Sequence, residues 1–244
     1  IQGNFSLPFA TLGGAVSYLI NNQLAGWSIV VHAGTYTEAS TIALTPDCTD
    51  LTIFLEGSVN ITKALSSPSN QDPLFQLEDD TYVSIVGLVP DLGFTPDLTG
   101  PTSGASLISS SAGGLFVFKS TTGQRAMLEL TNLSLIGISN YAQFLFGQVV
   151  TQEQFYLNMT NCYFQSTGGG KGFGVTALFT AELPQSTIFD FRDCYFLTDN
   201  ASGTMIDLAN WNDAGLNIDL KARDCTFNVK TSVTNSNIVS GIIR

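Results

Sequence analysis

Charge is what this chain has least of. Only 12% of its 244 residues are Asp, Glu, Lys or Arg, against about a quarter in ordinary soluble domains. Nine Lys and Arg stand against twenty Asp and Glu, for a net charge of −11. There is no basic stripe to neutralise phosphates, so nucleic acid is not expected as a partner, and an anionic membrane surface would repel the chain. No apolar run reaches the ~20 residues of a membrane span, so membrane insertion is not expected. An initiator Met and a signal-peptide pattern are missing. The chain opens at Ile1 in mid-phrase and reads as a processed product or a fragment. Histidine occurs once, at His32, and no Cys-x-x-Cys occurs, so the four cysteines lack the companions of a metal site.

What is present is apolar and periodic. Hydrophobic residues make up 44% of the chain, enough for the core of one domain spanning 1–244. With so few charges the surface must be Ser, Thr, Asn, Gln and Gly, which suits a β-rich protein outside the cytosol or on a particle surface. Four segments, 128–135, 157–164, 189–196 and 220–227, share one phrase: apolar, polar, apolar, polar, Asn/Asp, apolar, polar, apolar. Their spacings are 29, 32 and 31 residues. A strand phrase at that period means one supersecondary unit per repeat, stacked on its neighbours over a common core.

The phrase has a physical reading. Alternate apolar residues face inward. The slot held by Asn132, Asn161, Asp193 and Asp224 breaks the alternation. A short amide or carboxyl side chain there can bond the local backbone and tolerate left-handed torsions, so each phrase should bend. Cys162, Cys194 and Cys225 share one inward slot. Stacked side chains point the same way, which is poor geometry for a disulfide. These three, with Cys48, read as buried thiols filling the core.

Upstream, residues 10–22 form the one convincing helix, with Leu12, Val16, Leu19 and Ile20 on one face and Thr11 as N-cap. Strands are expected at 28–36, entering a tight Gly turn, then at 51–57 and 82–88. Between the phrases, second-face strands are expected at 114–118, 144–147, 175–179, 205–208 and 238–243. Residues 89–105 and 166–174 read as loops.

The opening run Pro8-Phe-Ala-Thr-Leu-Gly-Gly-Ala-Val-Ser-Tyr-Leu-Ile20, followed by Ile29-Val-Val-His-Ala-Gly-Thr-Tyr-Thr-Glu38, resembles the start of pectin-lyase-like right-handed parallel β-helix proteins. The later Asn-Cys-x-Phe phrases look like the regular rungs of that superfamily. The resemblance implies an all-β fold: a single-stranded right-handed parallel β-helix of about seven rungs. It places an N-terminal capping α-helix at 10–22 and the rungs over 28–244. It leaves function open, because such proteins include lyases, hydrolases, esterases, viral fibres and adhesins. The Asn-Thr-Asp, Gly-His-Gly and Arg-Ile-Lys of polygalacturonases are absent. So are the Arg-x-Pro-x-x-Arg of pectate lyases and the Gly-Asp-x-Asp-Phe of pectin methylesterases.

Four places could carry chemistry or recognition. Outward columns gather Asp190, Arg192, Lys221 and Arg223, with Asp193, Asp219 and Asp224 nearby. Paired carboxylates there could divide acid and base roles in a polysaccharide lyase or glycoside hydrolase. The simpler reading is a ladder of ion pairs between rungs, such as Asp190 with Lys221. Tyr163 and Tyr195, expected in one outward slot, could flank a sugar ring. Glu78, Asp79 and Asp80 could hold calcium with loop carbonyls, though no cofactor is expected. Asn158 and Asn200 are the better glycosylation acceptors among five sequons.

The expected function is therefore non-enzymatic: a structural or adhesive module, a fibre, spike or capsid-associated protein of a virion surface or the extracellular space. Its expected partners are other structural proteins or copies of itself, with cell-surface polysaccharide as a further candidate. The last segment, 237–244, ends on an apolar strand without a cap, an edge that proteins usually cover.

Overall fold

The computed structural model describes residues 8–64, 72–78, 80–89, 104–110, 113–119, 125–138, 143–146, 154–166, 173–175, 186–198, 204–207, 217–229 and 237–240. These residues form one α-helix, α1 (Leu12–Asn21), and 21 short strands. The first nine strands are β1 (Ser28–Val31), β2 (Gly34–Glu38), β3 (Ile42–Leu44), β4 (Leu51–Leu55), β5 (Val59–Lys63), β6 (Phe75–Leu77), β7 (Tyr82–Gly87), β8 (Ala105–Ile108) and β9 (Phe116–Phe118). Six follow: β10 (Arg125–Thr131), β11 (Leu133–Gly137), β12 (Phe144–Phe146), β13 (Gln154–Thr160), β14 (Tyr163–Ser166) and β15 (Phe173–Val175). The last six are β16 (Ser186–Arg192), β17 (Tyr195–Thr198), β18 (Thr204–Asp207), β19 (Asn217–Arg223), β20 (Thr226–Val229) and β21 (Asn237–Ser240).

The protein is all-β with three parallel sheets of seven strands each. Every sheet takes every third strand: β1, β4, β7, β10, β13, β16 and β19 form the first, the set from β2 to β20 the second, and the set from β3 to β21 the third. Each repeated phrase therefore supplies two strands to two different sheets, with the Asn/Asp slot at the corner between them. That corner is left-handed, as the sequence requires: φ is 55° at Asn132, 49° at Asn161, 53° at Asp193 and 54° at Asp224. Asn132 Nδ2 donates to the Gly87 carbonyl at 3.0 Å, and Asn161 Nδ2 donates to Asn132 Oδ1 at 2.8 Å. The amides thus build a ladder from one corner to the next, satisfying polar atoms that the bend would strand. Gly87 is the one residue type that fits beneath it, since a Cβ there would collide with the Asn132 carbonyl.

The strand expected at 28–36 needs correction: it is two strands, β1 and β2, because the chain turns from one sheet to the next at 32–33. Of the strand expected at 175–179, Val175 ends β15, and residues 176–179 lie outside the described residues. Most of the two expected loops, 90–103 and 167–172, also lies outside them.

The core is built from columns. In the first sheet Leu51, Val83, Leu128, Leu157 and Phe189 lie in register and are at most 3% exposed. The third sheet stacks Phe75, Phe116 and Phe144, with ring centroids 5.1 Å apart at each step and planes within 17°. Such stacks add about 0.5–1.5 kcal/mol each beyond area burial. Cys162 and Cys194 are buried free thiols, and Cys225 is a half-buried one. Burial pushes the Cys48 and Cys225 thiols up, and a hydrogen bond with Cys162, joined by burial, raises that of Cys194. They are inert core groups.

At the N-terminal end α1 packs against β1, β2 and β3, the first strand of each sheet. Thr11 Oγ1 accepts from Gly14 N at 3.0 Å, the expected N-cap. The buried Glu38 carboxylate of β2 adds a second lock, accepting from Leu12 N at 2.7 Å and Gly13 N at 3.1 Å. A negative group there also suits the positive end of the helix dipole.

Candidate functional site

Register places the candidate charges on the outer face of the first sheet. One column runs Thr52, Ser84, Glu129, Asn158, Asp190, Lys221, and its neighbour Phe54, Val86, Thr131, Thr160, Arg192, Arg223. Both sit on the period-2 outward positions of strands whose alternate residues fill the core.

The two last levels do bring charge together, though not as the sequence suggested. Arg192 Nη2 donates to Asp190 Oδ2 at 2.8 Å. Arg223 reaches diagonally across the ladder, its Nη2 lying 3.0 Å from Oδ1 and 2.9 Å from Oδ2. Lys221, directly opposite Asp190, turns instead to Asp219 of its own strand at 2.7 Å. The expected Asp190–Lys221 pair is replaced by an Asp190–Arg223 pair, because the longer planar guanidinium can span the diagonal and engage both oxygens.

This geometry limits the chemistry. Hydrogen bonding to Arg192 holds the Asp190 carboxyl below the usual carboxylate range, Arg223 acts in the same direction, and partial burial opposes them. An ionised carboxylate with a lowered pKa is a poor general acid and a weak base. Asp193 and Asp224 stand at the left-handed corners, where both are exposed. The arrangement is a local ion-pair cluster whose charges largely cancel.

The remaining candidates separate. The exposure expected of Tyr163 is corrected: it shares the slot of Tyr195 in register, as expected, but is only 2% exposed, and its hydroxyl donates to Gln165 Oε1 at 3.0 Å. Its ring stacks on half-buried Tyr195 at 5.7 Å and 8°, and Asn228 Nδ2 donates to the Tyr195 hydroxyl at 2.9 Å. The pair binds one level to the next and leaves no gap for a sugar ring. Asn158 is half-buried in a central strand, a poor glycan acceptor, while Asn200 lies outside the described residues. Glu78 Oε1 accepts from Gln76 Nε2 at 2.9 Å, and Asp79 lies outside the described residues. Among those described, no group of three or more His, Cys, Asp or Glu side chains is placed to hold a metal. His32 is exposed at the end of β1 with Nδ1 2.6 Å from Glu56 Oε2.

Two features escaped the sequence reading. A groove of about 310 Å³ on the same outer face is lined by Tyr82, Met127, Thr52, Ser84 and Glu129, and the Ser84 hydroxyl donates to Glu129 at 2.8 Å. Ser84 and Glu129 are 45 residues apart in sequence, outside the period of the repeats, which hid their register. Lys63, with 1% of its side chain exposed, pairs with Asp72 at 3.0 Å and donates to the Ala39 carbonyl at 3.3 Å. Its signal was present: Lys63 occupies the inward slot after Val59 and Ile61.

No protein-family model, curated protein or solved structure matches this chain.

Proposed function

We propose that the three sheets wind as one right-handed parallel β-helix, similar to the pectin-lyase-like proteins, and that the chain is a non-enzymatic structural module. In this reading it is a shaft or adhesive element at the surface of a virus particle. The seven-fold cycle of strands through three sheets supports the winding. A surface of Ser, Thr and Asn with 12% charge supports the setting. The observation that carries the functional reading is the state of Asp190: both its oxygens are engaged by guanidinium groups, so the best candidate for acid–base work is neutralised within the protein.

The test is a screen of the purified chain against uronic-acid polymers, with and without calcium, beside Asp190→Ala and Arg192→Ala variants. No product from any of the three is expected. Cleavage by the wild type that Arg192→Ala abolishes would replace the scaffold with a polysaccharide lyase or hydrolase. If the shaft also adheres to glycans, the groove at Tyr82, Met127 and Glu129 is a surface with room for a ring. On a glycan array Tyr82→Ala would then lose binding and Tyr195→Ala would keep it.

A further inference from the structure

The two ends of the sheets differ in what covers them. At the C-terminal end the inward column of the first sheet, at most 3% exposed through Phe189, surfaces at Leu220, which is 38% exposed. Ala222 beside it is also exposed. Among the described residues β19 pairs only with β16, and none of them forms a strand along its other edge. An apolar edge with unpaired backbone groups is a template for another strand.

The sequence of β19, Asn217-Ile-Asp-Leu-Lys-Ala-Arg223, specifies that strand. Antiparallel pairing of β19 with itself about a two-fold axis through Leu220 sets Asp219 opposite Lys221 of the second copy and Lys221 opposite its Asp219. Leu220 meets Leu220. Outward residues meet outward residues and inward meet inward, as the pleat demands. Sliding by two residues one way sets Asp219 against Asp219, and the other way Lys221 against Lys221. Sliding by one turns the apolar residues outward. Of these registers only the one centred on Leu220 avoids both faults. Asp219 and Lys221 are each about half exposed, at 52% and 50%, and so can reach a partner.

We propose that β19 is a self-pairing edge through which two copies of this chain join tail to tail in the register centred on Leu220. The contact is isologous and closes at a dimer. At the other end α1 covers the first strands, so growth into a filament is blocked. The inference goes beyond the scaffold reading and does not depend on it.

Sedimentation of the full chain over a range of concentrations tests it. The wild type should dimerise reversibly. Asp219→Lys and Lys221→Asp should each weaken the dimer by about tenfold or more, since two symmetric pairs change from attraction to repulsion. Mixing the two variants should restore dimerisation as a heterodimer, because each then supplies the charges the other lacks. That mixture separates the contact between copies from the Lys221–Asp219 pair within one chain, which mixing cannot repair. Circular dichroism of each variant checks that it folds. A wild type that stays monomeric up to its solubility limit overturns the proposal and leaves the edge to a different partner. Single variants that dimerise like the wild type, or a mixture that gains nothing, overturn the register.

Discussion

The first and last levels of the sheets use the same backbone pairing and differ in how their ends are finished. At the start, α1 lies across β1, β2 and β3, with its free amides held by Thr11 and the buried Glu38 carboxylate. Glu38 stands directly opposite Lys63 in the β2–β5 ladder, and Lys63 is itself buried and paired with Asp72. Two ionisable groups therefore sit in buried, inward positions at this end. At the finish the inward residues Leu220, Ala222 and Phe227 stack on Phe189, Phe191 and Phe196, yet they are exposed or half-buried. One end is closed by specific polar bonds around a helix. The other offers an apolar edge.

The largest effect expected from breaking this contrast lies at the closed end. Lys63→Ala leaves Asp72 without its partner in a mostly enclosed site, which costs about 3–5 kcal/mol when a buried pair is broken. Urea unfolding would read it as a lowered midpoint. A loss inside the ordinary surface range, about 0.5 kcal/mol, would show that the pair contributes nothing to closing this end.

Next comes one column probed at two depths. Leu157 and Leu220 occupy equivalent slots, on either side of Phe189, at 0% and 38% exposure. Leu157→Ala should cost about 2–5 kcal/mol through lost transfer energy and the cavity left behind. Leu220→Ala should cost about 1 kcal/mol or less when measured at low protein concentration, since much of that side chain is already in water. Equal losses would mean that the last level is as well covered as the middle, and the contrast between the ends would go with it.

How much of this was readable beforehand depends on the range of the signal. The corners were legible because Asn132, Asn161, Asp193 and Asp224 announce a local torsion, and their positive φ follows from side-chain chemistry within one residue. The helix and Thr11 were legible for the same reason. The burial of Tyr163 was not. Alternation gives the face of a strand, but whether that face meets water depends on chain distant in sequence, and here the ring is enclosed. The partner of Asp190 was half legible: its column and level follow from the period, while the choice of Arg223 over Lys221 rests on side-chain reach. The groove at Tyr82 and Met127 needed a register carried across 45 residues, where the period gives no guide.

The smallest effect concerns that ion-pair cluster and is read by pH. The Asp190 carboxyl is held below its ordinary value by Arg192 and Arg223, so the folded state releases its proton more readily than the unfolded chain. Its contribution is fully present above the ordinary Asp value, about 3.9, and is lost as pH falls through the lower folded value. Between neutral pH and about 5 this group should add no pH dependence to the thermal midpoint. Below about pH 4 the wild type should lose stability faster than Asp190→Asn, which has no such proton to take up, and the two curves should converge. Because the guanidiniums are about half exposed, at 52% and 55%, salt should shrink the difference at neutral pH. A gap that persists unchanged at the lowest pH would mean that the Asn variant disturbs packing. A gap that widens with salt would mean that the cluster is held by something other than charge.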